Sequence, residues 1–316
     1  MRTIRSTANS TQSSPPRLLD RRLVFLLGKG GVGRSTIAAA LGVLAARGGR
    51  RAIVVEVSGR GDVPRLFGRR VELGVELELA PGLWTLDVDP RVALEEYLHD
   101  QLPLRLLADA IGSSTTFGYV AAVTPGLREL LTIGKVWELA QPQRRTKDAQ
   151  EYDVVIVDAP ATGHGLALLQ SPHAFARAAS VGPIARQGRL IAETLADRRQ
   201  TALAAVATPE SAAVEELLEL RSALTQPLDA VIANAVVPER FSAADALALR
   251  GARMRAQLDS PLRDALSVAI DEETLARAQR AQLKRLGRTA VTLPLISTDI
   301  SAGELGRLAD GLAVLA

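Results

Sequence analysis

From Arg22 onward, short apolar runs alternate with longer segments whose apolar residues recur at helical spacing. That alternation is how a parallel sheet covered by helices on both faces reads in sequence, because strands buried on both sides lose the polar half of their pattern. The apolar runs predict strands at Leu23–Leu27, Ala52–Val57, Trp84–Val88, Asp153–Val157, Ala202–Ala207, Ala230–Ala233 and Ala290–Leu293. The expected fold is α/β, a doubly wound, mostly parallel sheet of seven to eight strands with helices on both faces. The stretches 91–150, 171–199 and 238–287 exceed what one crossover helix requires and are expected to add a helical subdomain, layered above one sheet edge, within a single domain spanning 21–316. Segment Ser211–Leu224 sets Val214, Leu217, Leu218 and Leu220 among Glu215, Glu216, Glu219 and Arg221, which predicts a surface helix lying on the sheet. Residues 1–20 hold Ser, Thr, Pro and Arg with no acid before Asp20 and are expected to be a disordered tail; a transit peptide has a similar composition.

Composition narrows the class. With 47% hydrophobic and 23% charged residues, the 316-residue chain is an ordinary globular protein, not a disordered one. No apolar run approaches the ~20 residues of a membrane-spanning helix. The absence of cysteine removes disulfides, thiolate metal sites and cysteine nucleophiles, and three histidines, at 99, 164 and 173, leave little for a histidine zinc site. Cytoplasmic residence is expected by elimination. The net charge is only +3, and four lysines stand against thirty-four arginines, a bias in the choice of basic residue more than a nucleic-acid surface. Aromatic residues make up 3% of the chain, too few for base-stacking platforms, so no nucleic-acid partner is expected.

The sharpest chemical signal is Gly28-Lys29-Gly30-Gly31-Val32-Gly33-Arg34-Ser35-Thr36, which follows the first apolar strand and opens a helix at Ile37–Ala46. Glycines admit positive φ angles and turn successive backbone N–H groups toward one anion, and the helix N-terminus adds about half a positive charge. Every fixed position of the pattern G-x-x-x-x-G-K-[ST] agrees except that Arg34 stands for lysine. Arginine keeps the charge, but its planar fork is bulkier than an ammonium. Ser35 sits where the loop hydroxyl ligates Mg²⁺, and Lys29 is a second cation within the loop.

A second motif, Asp158-Ala159-Pro160-Ala161-Thr162-Gly163-His164, closes the strand Asp153–Val157. A carboxylate at the C-terminal end of a buried strand beside a phosphate loop is a Mg²⁺ candidate, acting in general through water. Gly163 is expected to let the following segment move toward a terminal phosphate.

The loop resembles the deviant Walker motif of dimeric ATPases, in which the early lysine reaches the partner's nucleotide, so the resemblance implies that Lys29 acts across a dimer interface. With Asp87-Val88-Asp89-Pro90, Pro125-Gly126, Thr208-Pro209-Glu210, Ala233-Asn234-Ala235 and Leu293-Pro294-Leu295, the chain resembles, over nearly all of its ordered length, the P-loop ATPases that drive arsenite pumps or target tail-anchored membrane proteins. The resemblance implies that Asn234 contacts adenine, that Glu210 lies near the nucleotide, and that the turn at Pro294, Leu295 and Ile296 flanks the base.

The chain departs from that family in three ways. The first switch loop of the family carries an aspartate that orients the attacking water, and Ser58 falls at its place in Glu56-Val57-Ser58-Gly59-Arg60-Gly61-Asp62. Glu56, on the same strand face, is the nearest substitute, and Asp62 could swing in from the loop. Cysteine ligands for arsenite are absent, and so are a Met-rich groove and a C-x-x-C clasp; Leu98–Leu139 and Phe175–Leu195 remain the candidate groove-lining stretches. The implied protein binds ATP and Mg²⁺, hydrolyses ATP slowly through Lys29, Arg34, Asp158 and Glu56, and forms a homodimer or a heterodimer with a paralogous ATPase. Its nucleotide state would govern binding of a hydrophobic client or membrane-protein partner. The alternative is a non-hydrolysing regulatory subunit paired with an active paralogue. A partition-type ATPase fits least, because that class lacks the Asp158–His164 stretch.

Overall fold

A computed structural model of the chain describes residues 17–101, 126–145, 149–178, 183–255, 259–287 and 290–316. The strands are β1 (Leu23–Leu27), β2 (Ala52–Glu56), β3 (Leu77–Ala80), β4 (Leu83–Asp87), β5 (Val154–Asp158), β6 (Thr201–Ala207), β7 (Ala230–Val236) and β8 (Ala290–Pro294). They form one eight-stranded sheet in the order β3-β4-β2-β5-β1-β6-β7-β8. All neighbours are parallel except β3, which runs antiparallel to β4 on the outer edge. This is the doubly wound α/β architecture expected. The antiparallel β3 escapes the apolar pattern because Leu77-Glu78-Leu79-Ala80 is short and only half-buried.

Strand alternation sorts the core into two layers. Val24, Leu26, Val54, Val154 and Ile156 point to one face and pack with α1 (Arg34–Arg47). Later helices close that face: α7 (Ser211–Ala223), the last turn of α9 (Ser260–Leu286) and α10 (Ala302–Leu312). Leu23, Phe25, Ile53, Val55, Val155 and Val157 point to the other face, against α4 (Leu127–Leu139), α5 (Thr162–Ala178) and α6 (Pro183–Ala196). Helix α1 is apolar almost all round, and Gly42 lets it lie close: a Cβ there would meet Leu83 and Val54 side chains at 2.7 and 2.9 Å.

Among the described residues the long spacers do not make one layer above one edge. Helices α4 to α6, together with α3 (Pro90–Gln101), pack on each other, and three of them cover the sheet face directly. Helix α8 (Ala243–Arg255) pairs instead with α9 beside β7 and α7. The short helix α2 (Asp62–Leu66) follows β2. At the N-terminus the expected tail reaches Asp20, yet Leu18–Asp20 forms a 3-10 turn with Leu18 and Leu19 buried in the core, because two adjacent leucines there complete the α1 face. Residues 1–16 of that tail, and parts of both candidate groove stretches, lie outside the described residues.

Candidate active site

Parallel strands deliver their C-terminal ends to one edge, where ligands of doubly wound sheets bind. β1 lies between β5 and β6, so the loop leaving it has a strand end on either side. Gly28 has φ 147°, and a Cβ there would overlap the Val206 carbonyl oxygen on β6. Gly31 and Gly33 have φ 85° and 87°, and Gly33 forms the N-cap of α1 with no side chain capping it. The first-turn amides of α1 are thus left uncapped by a side chain at the loop, and a helix start of this kind is one that can bind phosphate. Val32 is buried, with its carbonyl accepting from Asn234 Nδ2 at 2.9 Å.

Two loop side chains converge on Asp158. Ser35 Oγ donates to Asp158 Oδ2 at 2.5 Å, and Arg34 Nε donates to Oδ1 at 3.3 Å. A second guanidinium nitrogen of Arg34 donates to the Gly28 carbonyl. Burial pushes the Asp158 carboxyl above its ordinary range, against the opposing hydrogen bond from Ser35 and the charge of Arg34. A hydroxyl and a carboxylate side by side at the mouth of a phosphate loop form an oxygen-donor set that suits a hard divalent cation.

A cleft of about 760 Å³ opens over this pair. Its walls come from the phosphate loop (Lys29, Gly30, Gly31, Gly33 to Thr36), the β2–α2 loop (Val57, Ser58, Arg60), helix α2 (Asp62, Arg65, Leu66), and Asp158 to Ala161 with His164. Four cationic side chains, Lys29, Arg34, Arg60 and Arg65, face two carboxylates, Asp62 and Asp158, a balance that favours a polyanion. Lys29 Nζ lies 3.7 Å from Glu216 of α7, whose Oε1 also accepts from Thr162 Oγ1 at 2.5 Å. Thr162, Gly163 and His164 form the first turn of α5, with His164 N bonded to Ala161 O at 2.9 Å, so the segment expected to be a mobile loop is helical here.

The remaining expected residues divide. Asn234 reaches the phosphate loop, and Leu295 N bonds Val236 O at 2.9 Å, which places Pro294 and Leu295 beside the end of β7. Glu210 is exposed at the N-cap of α7 and does not line the cleft. Glu56 is fully buried, and it too is absent from the cleft wall. Its Oε1 accepts from Asp62 N at 2.8 Å, while Oε2 has no hydrogen-bond partner among the described residues. Burial, with Asp87 and Asp158 close by, raises its carboxyl from an ordinary 4.5 to about 7. Two contributors escaped sequence reasoning. Asp87 stands in register with Glu56 and accepts from the β2–α2 loop, and Glu216 reads in sequence as one more surface acid of an amphipathic helix.

The family model described as "Anion-transporting ATPase" matches residues 21–181, which include both loops and Asp158. ATPase BagA of Mycobacterium tuberculosis is 32% identical over 98% of this chain and 97% of its own length. The arsenical pump-driving ATPase of Escherichia coli is 28% identical over 75% of this chain and 42% of its own length. ATPase ASNA1 homolog 1 of Paramecium tetraurelia is 26% identical over 48% of this chain and 43% of its own length. With strand order, phosphate loop and alignment in agreement, the chain belongs to the anion-transporting ATPase family and is a P-loop ATPase.

Proposed function

We propose that the protein is a Mg²⁺-dependent, dimeric ATPase, formed by a single domain over residues 21–316, whose nucleotide state governs binding of a client or membrane-protein partner. The observation that carries this reading is the convergence of Ser35 and Arg34 on Asp158 at the base of the glycine loop. Ser35 and Asp158 would hold Mg²⁺, which when bound neutralises phosphate charge. Gly28 to Thr36 would wrap the phosphates through backbone amides, and Arg34 would add charge at their base. Asn234, Pro294 and Leu295 would flank the adenine, with Glu210 at the rim.

Lys29 supports a role across a dimer interface. Its side chain is 42% exposed and, among the described residues, held by one ion pair of 3.7 Å, a contact worth at most about 1 kcal/mol, so it can leave Glu216 for a partner subunit's phosphates. A partner copy and a paralogue are both compatible with that exposed lysine. Thiolate binding of arsenite is not part of the proposal, because the chain has no cysteine. A cytoplasmic setting is part of the proposal; among the described residues no helix is long and apolar enough to cross a membrane.

Complementation tests the proposal. Lys29→Ala and Asp158→Asn should each abolish turnover alone. Mixed in equal amounts they should recover up to about a quarter of wild-type turnover, since half the dimers are mixed and each has one intact site. No recovery, with the protein monomeric by sedimentation in Mg²⁺ and ATP, rejects the dimer. Tight ATP binding without turnover in the wild type rejects hydrolysis in the homodimer and favours the regulatory-subunit alternative.

A further inference from the structure

The loop between β2 and α2 carries Ser58 where the family resemblance places a water-orienting aspartate, so the acid for that task must come from elsewhere. Glu56 is excluded by its position, since it is fully buried, lies behind the loop and spends Oε1 on a backbone amide. Asp62 has the opposite setting. It is the one carboxylate besides Asp158 among the described residues of the cleft wall, and its side chain is 37% exposed. Its Oδ1 pairs with Arg65 at 2.7 Å, and Oδ2 has no hydrogen-bond partner among the described residues.

The backbone that presents Asp62 is clamped from below. Gly59 and Gly61 both adopt left-handed φ angles, 68° and 60°, which aim their two amides at one acceptor. That acceptor is Asp87 at the end of β4: Oδ1 takes Gly59 N at 3.0 Å and Oδ2 takes Gly61 N at 3.2 Å. Glu56 at the end of β2 takes the next amide, Asp62 N, at 2.8 Å. Glu56 stands in register with Asp87 on one side and Asp158 on the other, so the clamp and the Asp158 carboxylate share one rigid sheet edge. Three hydrogen bonds to charged or buried acceptors, from a five-residue loop and the first residue of α2, are far more than a solvated connection needs.

We propose that Asp62 is the carboxylate that orients the attacking water, and that Asp87 and Glu56 are positioning residues that hold its loop against the sheet edge. The inference rests on the ATPase reading above. In the step it serves, the water oxygen bonds to the γ-phosphorus as the bond from that phosphorus to the bridging oxygen breaks, its electron pair leaving on ADP. One water proton stays on the new phosphate hydroxyl, and the other passes to the Asp62 carboxylate and on to solvent. Because the loop is anchored on strands and not on the nucleotide, Asp62 is set in place before substrate arrives.

Single-turnover hydrolysis and binding of a fluorescent ATP analogue, on the full chain with Mg²⁺, test it. Asp62→Asn should lower the hydrolysis rate by about 100-fold, the scale of a lost general base, with the analogue's Kd moving less than about threefold. Restoring an acid at the other position of the loop, Ser58→Asp in the Asp62→Asn background, should recover at least about fivefold of that loss. Asp87→Asn should lower kcat by about tenfold at unchanged KM, a split that loss of fold would not produce. An Asp62→Asn rate within about threefold of wild type overturns the proposal. If in the same assay Asp158→Asn abolishes turnover, the ATPase reading stands and only the assignment of Asp62 falls. A wild type that binds the analogue without turning it over overturns both.

Discussion

Replacing Glu56 with glutamine should stabilise the nucleotide-free protein at alkaline pH and leave it nearly unchanged in acid. The carboxyl is fully buried, one oxygen holds Asp62 N, the other has no hydrogen-bond partner among the described residues, and burial raises it from 4.5 to about 7. The folded state therefore holds a proton that the unfolded chain releases between those values, and stability contributed by the neutral acid is lost as pH rises through about 7. The gap between 4.5 and about 7 corresponds to about 3 kcal/mol, of which about 2.5 kcal/mol develops between pH 5 and pH 8. Glu56→Gln keeps an oxygen for Asp62 N and sets an uncharged amide near Asp87 and Asp158, the two acids that also disfavour ionisation of Glu56. Urea unfolding of wild type and variant at half-unit steps from pH 5 to pH 8 reads the difference directly, because slopes from other carboxylates cancel. A gain that grows by about 2 kcal/mol or more across that window is the expected result. Parallel stability curves would show that Glu56 is ionised in the fold throughout, and would refute the reasoning.

Other perturbations probe the loop and its supports. Gly28→Ala places a Cβ on the Val206 carbonyl at φ 147° and should cost at least about 2 kcal/mol by thermal unfolding, with ATP binding lost. Asn234→Ala leaves the Val32 carbonyl unbonded and should cost about 1 kcal/mol, with ATP affinity falling about tenfold in titration calorimetry. Arg34→Ala strips Asp158 of its nearest cation and should weaken ATP binding by at least about tenfold, whereas Arg34→Lys, which keeps the charge, should bind within about threefold of wild type.

What sequence could deliver follows from what each pattern encodes. Apolar runs locate the parallel strands within a residue at each end, except that β7 runs on three residues past the expected Ala233, because burial on both faces leaves an unbroken apolar signature, and the glycine loop is legible because its spacing is the geometry. Strand order and register are not encoded locally. Nothing in Leu86-Asp87-Val88 says that Asp87 will stand beside Glu56 under the amides of Gly59 and Gly61, since that depends on β4 pairing with β2. Glu56 illustrates the same limit from the other side: alternation puts it on the face of Ala52 and Val54, but only the packed structure shows that this position lies behind the loop. The first turn of α5 is a third case. Gly163 suggests mobility, yet the helix that Leu166, Leu168 and Leu169 continue extends back through it to Thr162.

The sheet edge under the loops also shows why the site is laid out as it is. Asp87, Glu56 and Asp158 end three neighbouring strands in register, and burial raises all three carboxyls. Like charges so placed oppose one another, and each is tolerated for a different reason. Asp87 is offset by two backbone amides, Asp158 by Ser35 and Arg34, and Glu56 by holding its proton near neutrality. Only Asp158 has its neutralising groups inside the cleft, so only there can an incoming cation and polyanion replace them. The other two carboxyls are committed to backbone, and the loop they fix does not need to be ordered by substrate. An edge built for folding stability alone would place apolar residues at these strand ends. Three buried acids at consecutive strand ends instead concentrate the unfavourable charge where nucleotide binding can relieve one part of it and the loop clamp requires the rest.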